Sequence, residues 1–579
     1  MMKTLPICRF LRDFAVLFFA IAPLAGPAAA QSLPLPYQLQ MQVRATLGGD
    51  AFNLPNGSTF NSVTPSLNDA GKVAVKVNTV GLTTSPGLWF GGQGVGALVY
   101  NANDNEAFMS DPFVNAANQV SFPRFGSTNL SDDGLYVYLH ASGVTTRVTN
   151  GPLGATSYAN PQINDLGLIG MRIKFSTPQA LFSYNIATNA FINYVTETSG
   201  DPGSPYSFLY VPAFNNNNRL AAEANLAAQA STFKELRRWN PDGSSVLVAS
   251  GDSSTGPTFF AFDNSISMNN RDQVAFITRT STSSTTRRIV VGDGVTTNLF
   301  PTVSSGNGFT GIDSFAPAIN DRGLVAFRGN DAQGFDSVFI SDGVTFQRIA
   351  GVNDTLMSDT GPRLVTFLMG GVKINNEGSV AFGVQFSGGG NAIYVAYAPL
   401  GALRAVSRKT HGVTGDFDLD LPLTGTPAVE CRQGTGGNFQ SHRVIVTFAV
   451  PVTFTSATVS SGAGMVESAS ATGAAITVNL ANVTDAQTTT ITLAGVSDGS
   501  RTAEIVVPIS FLLGDTSGNG TVSSTDVGQT KAQSGQAVTS ANFRTDVNAT
   551  GGSISSSDIS LVKSRSGNTL ASGDSARRR

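Results

Sequence analysis

Histidine and cysteine are nearly missing from this chain, at three and two residues in 579. Cys8 falls in an N-terminal leader, so only Cys431 remains beyond it. No internal disulfide can form, and stability has to come from packing or a metal. Cys431 is expected to be buried and inert. His140, His411 and His442 sit in no motif, which leaves no recognisable histidine-assisted nucleophile. Charge is also scarce, with 13% Asp, Glu, Lys and Arg against roughly 25% in ordinary globular domains. Loss of the leader removes three basic residues and Asp13, so formal charge moves from −3 to −5, which argues against nucleic acid as a partner. The apolar run Phe14 to Gly26 is 13 residues, where a spanning helix needs ~20. No transmembrane anchor is expected.

What is present begins with that leader. Lys3, Arg9 and Arg12 precede the apolar run, and Ala28, Ala29 and Ala30 form a small-residue cleavage site before Gln31. Residues 1–30 therefore read as a secretory signal, and the mature chain as secreted or associated with the cell surface. Gly is abundant, at 62 residues.

An asparagine followed by a tight turn and a short apolar strand occurs seven times, at Asn68, Asn115, Asn164, Asn215, Asn269, Asn320 and Asn375, spaced by 47 to 55 residues. Three residues on stand Gly71, Asn118, Gly167, Asn218, Asp272, Gly323 and Gly378, the residue types that best tolerate positive φ. The asparagine side chain can accept a hydrogen bond from the backbone two residues on and hold the turn shut. Proline precedes five of the asparagines by three residues, at Pro65, Pro112, Pro161, Pro212 and Pro317. Beyond each turn a large apolar residue, such as Val73 or Val325, is followed by a small one, such as Ala74 or Ala326. Alternation puts them on opposite faces, so the strand is expected to be buried on both sides. Asp242-Gly243, Asp293-Gly294 and Asp342-Gly343 read as type I′ hairpin turns.

About fifty residues per copy leave room for four short strands. The expectation is a mainly β fold, a seven-bladed β-propeller over residues 37–402, its last blade completed by an N-terminal strand near Gln42 to Phe52. An open solenoid is the competing architecture. Asp69, Asp165 and Asp321, beside repeated asparagines, are read as turn formers and not as catalytic acids. Asn320, Gly323, Ala326 and Phe327, with Asn375, Gly378, Ala381 and Phe382, resemble the tandem NxxGxxAF repeats of secreted and surface-anchored bacterial proteins. That resemblance implies an extracellular repeat scaffold and no particular chemistry.

Residues 403–511 change texture to Thr, Ser and Val, and alternation such as Val444, Val446, Phe448 predicts a β-sandwich. Asp416, Asp418 and Asp420 fall on one strand face, either gripping calcium or lining a solvated edge. Residues 512–571 carry the sharpest chemistry. Asp515, Ser517, Asn519, Gly520, Thr521 and Asp526 occupy positions 1, 3, 5, 6, 7 and 12 of a calcium loop: alternate oxygen side chains face inward, glycine permits the bend, a carbonyl at seven contributes, and an acid closes the shell. Asp546, Asn548, Thr550, Gly551 and Asp558 repeat the pattern with one extra residue. The metal-site residues are thus Asp515, Ser517, Asn519, Thr521 and Asp526, then Asp546, Asn548, Thr550 and Asp558. Two carboxylates per loop and the Gly551-Gly552 insertion lead us to expect calcium in the first loop more readily than in the second; a metal-free linker is the alternative.

Paired loops, each with a following helix carrying Lys531 or Lys563 and an aspartate at position twelve, resemble a type I dockerin. The resemblance implies calcium as cofactor, a cohesin-like partner and Ser524 with Thr525 as its recognition pair. Residues 572–579 are expected to be a disordered tail. Two functions stay open: an exported, non-catalytic binding or scaffold protein, with glycan as a possible ligand and a docking module at its end, or an extracellular polysaccharide-degrading enzyme, a glycoside hydrolase or lyase, carried on the propeller. No catalytic residue is assigned.

Overall fold

A computed structural model describes residues 37–60, 63–80, 84–148, 151–228, 234–251, 261–279, 286–302, 309–434, 440–499 and 501–570. Residues 1–30, read as a secretory signal, and residues 572–579, read as a tail, lie outside them. The described residues are mainly β, with two short α-helices near the C-terminus. Among the described residues no helix is long and apolar enough to cross a membrane.

Between Gln38 and Tyr397 the strands form seven antiparallel sheets of four to six strands, the sheet organisation of a β-propeller. The last sheet contains both ends of this region, because strand Gln38–Leu47 pairs with Asn391–Tyr397, from Gln38 opposite Tyr397 to Arg44 opposite Ala392. The turn residues obey their backbone. All seven residues three beyond the repeated asparagines have positive φ, from 57° at Asn218 to 90° at Gly378.

The pairing of large and small residues explains why successive sheets stack. Val73 belongs to the cluster shared with the seventh sheet, alongside Ile393 and Val395, whereas Ala74 belongs to the cluster shared with the second, alongside Val120 and Phe122. Val274 and Ala275, Val325 and Ala326, and Val380 and Ala381 divide in the same way between neighbours. The small side is needed for closeness. A Cβ on Gly170 would lie 2.3 Å from the Phe214 ring of the next sheet, inside any real carbon contact.

The three Asp-Gly turns differ from expectation. Only their glycines enter positive φ, so they are not type I′. The aspartate carboxylate instead accepts from the backbone beyond it: Ser244 N at 2.9 Å for Asp242, Val295 N and Thr296 N at 2.8 and 2.7 Å for Asp293, and Val344 N and Thr345 N at 2.9 and 2.7 Å for Asp342. A side chain that satisfies the turn removes the need for a second left-handed residue.

After Leu400, a five-stranded and a four-stranded sheet share one core that includes Val444, Val446, Ile476, Val478, Ile491 and Val507. Asp416, Asp418 and Asp420 lie on edge strand Gly415–Leu421. They are tied to Thr410, Arg408 and Arg404 at 2.6, 2.7 and 2.6 Å, a paired edge and not a cation grip. Arg501 joins this unit to the ring through Glu377 at 2.7 Å and the Ala398 carbonyl at 3.1 Å.

Candidate functional site

Two places bring polar groups together: the axis of the ring and the C-terminal loops. At the axis, each repeated asparagine does more than close its own turn. Its Oδ1 accepts the backbone N–H four residues on in all seven copies, at 2.8 to 3.1 Å. Its Nδ2 donates to the backbone carbonyl of the next repeat's asparagine: Asn68 to Asn115, onward through Asn164, Asn215, Asn269, Asn320 and Asn375, and from Asn375 back to Asn68 at 3.1 Å. The seven side chains therefore make a closed hydrogen-bonded circle. The sequence shows only the local half of this, because the partner carbonyl is about fifty residues away.

The residues after the asparagines form an open chain of six bonds from Ala116 round to Asp69, beside a cavity of about 150 Å³; it does not close, because Ala116 has no side-chain acceptor for Asp69. Asp165 Oδ1 accepts Ala116 N, Asp321 accepts Asn270 N and Asp69 accepts Asn376 N, at 2.7 to 2.8 Å. These aspartates stand inside the turns closed by Gly71, Gly167 and Gly323 and in addition bind the preceding repeat. Burial raises the Asp69 pKa, with Asn376 opposing and Asp165 and Asp321 adding to the rise.

Three to five residues earlier, roughly 10 Å along the axis at ~3.3 Å per residue, lies a second cavity of about 160 Å³ with contributions from all seven sheets. Among the described residues six of the innermost strands are interrupted at this level. Three are split, as between Phe108–Met109 and Phe113–Val114; three slip register, at Ala159/Gln162, Phe262/Ile266 and Met369/Lys373. Prolines at Pro112, Pro161, Pro212 and Pro317 have no N–H to pair, and the carbonyls of the last three accept side chains of the preceding sheet: Ser121 to Pro161, Asn160 to Pro212 at 2.7 Å and Ser267 to Pro317 at 2.6 Å. Lys373 and Asp111 face this cavity with Phe113 and Phe315. Sequence reading missed them because each occurs in one copy only.

At the C-terminus, helices Ser524–Ala532 and Ser556–Ser564 each begin on a capping box, Ser523 with Asp526 and Ser555 with Asp558. The structure brings the first loop's residues together. Asp515, wholly buried, accepts Ser517 Oγ and the N–H groups of Gly518, Asn519 and Gly520 at 2.8 to 3.2 Å. Asp526, also buried, accepts Ser517 N at 2.9 Å and Ser523 N at 2.8 Å, and Asn519 Oδ1 accepts Thr521 N at 2.9 Å. Burial works against the Asp526 carboxylate, but these donors outweigh it and hold its pKa below the usual value.

The second loop repeats the arrangement. Asp558 accepts Asn548 N at 3.2 Å and Ser555 N at 2.9 Å, Asn548 Oδ1 accepts Thr550 N at 3.0 Å, and Asp546 Oδ2 accepts Gly551 N at 2.8 Å. It differs in two respects. Asp546 Oδ1 is buried with no hydrogen-bond donor, and His411 Nδ1 lies 2.7 Å from Asp546 Oδ2. Since Arg432 Nη1 donates to His411 Nε2 at 3.1 Å, Nδ1 carries the proton that His411 gives to Asp546. Arg432 is in turn paired with Glu430 at 2.8 Å, both fully buried. Burial pushes the Glu430 pKa up, but Arg432 outweighs it and holds it well below the usual carboxylate range.

The Gly551-Gly552 insertion has its explanation at the same place. Gly551 has φ 73°, and a Cβ there would meet the His411 carbonyl at 2.0 Å; one on Gly412, at φ 50°, would meet the Thr550 carbonyl at 2.0 Å. Gly552 N donates to Thr414 Oγ1 at 2.7 Å. Two glycines thus let the second loop lie directly on the preceding unit. Cys431 is buried between them, its Sγ donating to the Arg544 carbonyl at 3.5 Å, and burial pushes its pKa up to about 11, the state of an unreactive thiol.

Among the described residues no group of three His, Cys, Asp or Glu could hold a metal by itself. Each loop offers two carboxylates, so the rest of a coordination shell would be hydroxyl, amide and carbonyl oxygen. That is a donor set for a hard cation, and the unsatisfied Asp546 Oδ1 fits it.

No family model and no curated protein matches the chain. Solved structures similar to it include the β-propeller domain of the Trilobed protease from Pyrococcus furiosus, at 11% identity and TM-score 0.41, covering 58% of this chain and 95% of that one. An oligogalacturonate lyase in complex with manganese matches at 12% identity and TM-score 0.40, over 64% of this chain and 99% of that one. TolB from Acinetobacter baumannii matches at 12% identity and TM-score 0.33, over 48% of this chain and 63% of that one. No residue role is carried over from any of them.

Proposed function

We propose that this chain is an exported, non-catalytic binding or scaffold protein, built from a seven-bladed β-propeller, a β-sandwich and a dockerin-like calcium module that docks to a cohesin-like partner. The module supports this reading most strongly. In both loops the carboxylates at the first and last positions accept the loop's own N–H groups and are buried, and Asp546 Oδ1 is left without a donor. Asp515, Ser517, Asn519, Asp526 and the Thr521 carbonyl would hold the first calcium, and Asp546, Asn548, Asp558 and the carbonyl near Thr550 the second. Bound calcium supplies charge that stabilises the converging oxygens and fixes the helices that follow. Ser524 and Thr525 are exposed at the start of the first helix, available to a partner. On the ring, the aspartates at the axis are occupied by backbone N–H groups, an arrangement suited to holding sheets together.

Calorimetric titration of calcium into the chelator-treated full chain tests the metal. Two binding events are expected, one removed by Asp515→Asn and the other by Asp546→Asn. A flat trace overturns the calcium module. Reducing-sugar release from polysaccharides, abolished by a single Asp or Glu substitution at the axis, would overturn the non-catalytic reading.

A further inference from the structure

The residue two before each repeated asparagine has a structural task in three copies. Ser66 Oγ accepts Val114 N at 3.0 Å, Gln162 Oε1 accepts Phe214 N at 3.0 Å and Ser267 Oγ accepts Ile319 N at 3.1 Å, each binding the next sheet. Lys373 occupies the same position in the seventh copy and cannot perform that task, because an ammonium has no acceptor. It reaches the axial cavity at the end of the Met369–Lys373 register slip, the kind of bulge that re-aims a side chain. Its Nζ lies 5.3 Å from the Phe113 ring centre, and among the described residues it makes no ion pair and no hydrogen bond.

The neighbouring charges are already matched. Asp111 Oδ1 is 3.0 Å from Lys76 Nζ. Arg328, stacked 4.3 Å over Phe315, is held by Asp313 and Asp336. Among the described residues Lys373 is thus a cation without an ion pair of its own, sharing with Asp111, which is paired to Lys76, the lining of a cavity of about 160 Å³, where one of ~150 Å³ takes a benzene ring. Phe113 and Phe315 give it apolar walls, and Thr64, Asn160 and Gln162 polar ones.

We propose that this cavity binds a small molecule with one six-membered ring and one carboxylate, the carboxylate on the Lys373 ammonium and the ring between Phe113 and Phe315. Burial lowers the Lys373 pKa while Asp111 opposes the change, and a bound carboxylate would give this half-buried ammonium an ion-pair partner of its own.

The test is titration of the full chain, by calorimetry and ligand-observed NMR, with benzoate and glucuronate as apolar and hydroxylated ring acids. Benzyl alcohol and glucose serve as their neutral counterparts, and acetate as a carboxylate without a ring. At least one ring acid should saturate one site below 1 mM, on the order of tenfold or more tighter than its neutral counterpart and than acetate. Lys373→Met should cost tenfold or more, and Lys373→Arg should retain binding. Absence of binding by both acids, equal binding of the neutral rings, or unchanged affinity in Lys373→Met would overturn the proposal. Should Lys373→Met fail to fold, the ranking of acids over neutral rings in the unaltered chain decides alone.

Discussion

At the scale of single residues, the repeated asparagine is a connector with both of its polar atoms used. Asn320 donates to the Asn375 carbonyl at 3.0 Å and accepts Arg322 N and Leu324 N, each at 3.0 Å. Asn320→Ala would leave those groups unpaired in a buried place, and each such loss costs about 1–3 kcal/mol. The expected destabilisation is about 2–4 kcal/mol, measured by urea unfolding of the full chain. A second residue carries a pH signature. Glu223 is 1% exposed, its Oε2 is 3.3 Å from Lys234 Nζ, and burial raises its pKa to about 7 from the ordinary 4.5, with Lys234 opposing. Between those values the folded chain holds a proton that the unfolded chain has released. The corresponding stability is full below pH 4.5, falls as pH rises through 7 and is lost above it, on the order of 3 kcal/mol in all. Glu223→Gln should flatten that part of the profile relative to the unaltered chain; identical slopes from pH 5 to 8 would refute the assignment.

At the scale of elements, glycines divide into those that hold two units together and those that do not. Gly551→Ala places a Cβ against the His411 carbonyl and should cost about 2–4 kcal/mol through left-handed strain and displaced backbone, read as an earlier melting transition of the C-terminal region. Gly528→Ala lies in helix Ser524–Ala532 with nothing within 4 Å, and should stabilise by up to ~1 kcal/mol. The comparison also shows what a sequence discloses. Gly323 was legible because its backbone conformation restricts the residue type on the spot. The glycine pair after Thr550 read as a defect in a calcium loop, because its partner carbonyl belongs to a turn some 140 residues earlier in the chain. Lys373 was illegible for another reason: one lysine on one strand has no periodicity to betray it, and only the convergence of seven sheets places it at an axis. The Asp-Gly turns were misread where a side chain replaced the backbone conformation that the pair usually requires.

At the scale of the molecule, closure of the ring is the property on which the other contacts lean, and it can be tested by removing its first strand. Strand Gln38–Leu47 supplies Val43 and Ala45 to the cluster between seventh and first sheets. Its Arg44, wholly buried, makes two bonds of 2.8 Å to Asp359. Deleting residues 37–52 would uncover the Asn391–Tyr397 edge, leave Asp359 without its cation and thin the packing beneath the Asn375 to Asn68 bond. In an open array such a loss would strip one terminal unit and leave the others standing, since each depends on its neighbours alone. In a circle there is no terminal unit, and the two edges created would each expose unpaired backbone and apolar surface. Calorimetry of the shortened chain should therefore show the main transition lost or moved down by more than 10 °C, with association of molecules through the freed edge. A main transition kept at its original temperature, with only a small part of the unfolding heat missing, would show that the sheets are held in series and that the asparagine circle does not join its ends.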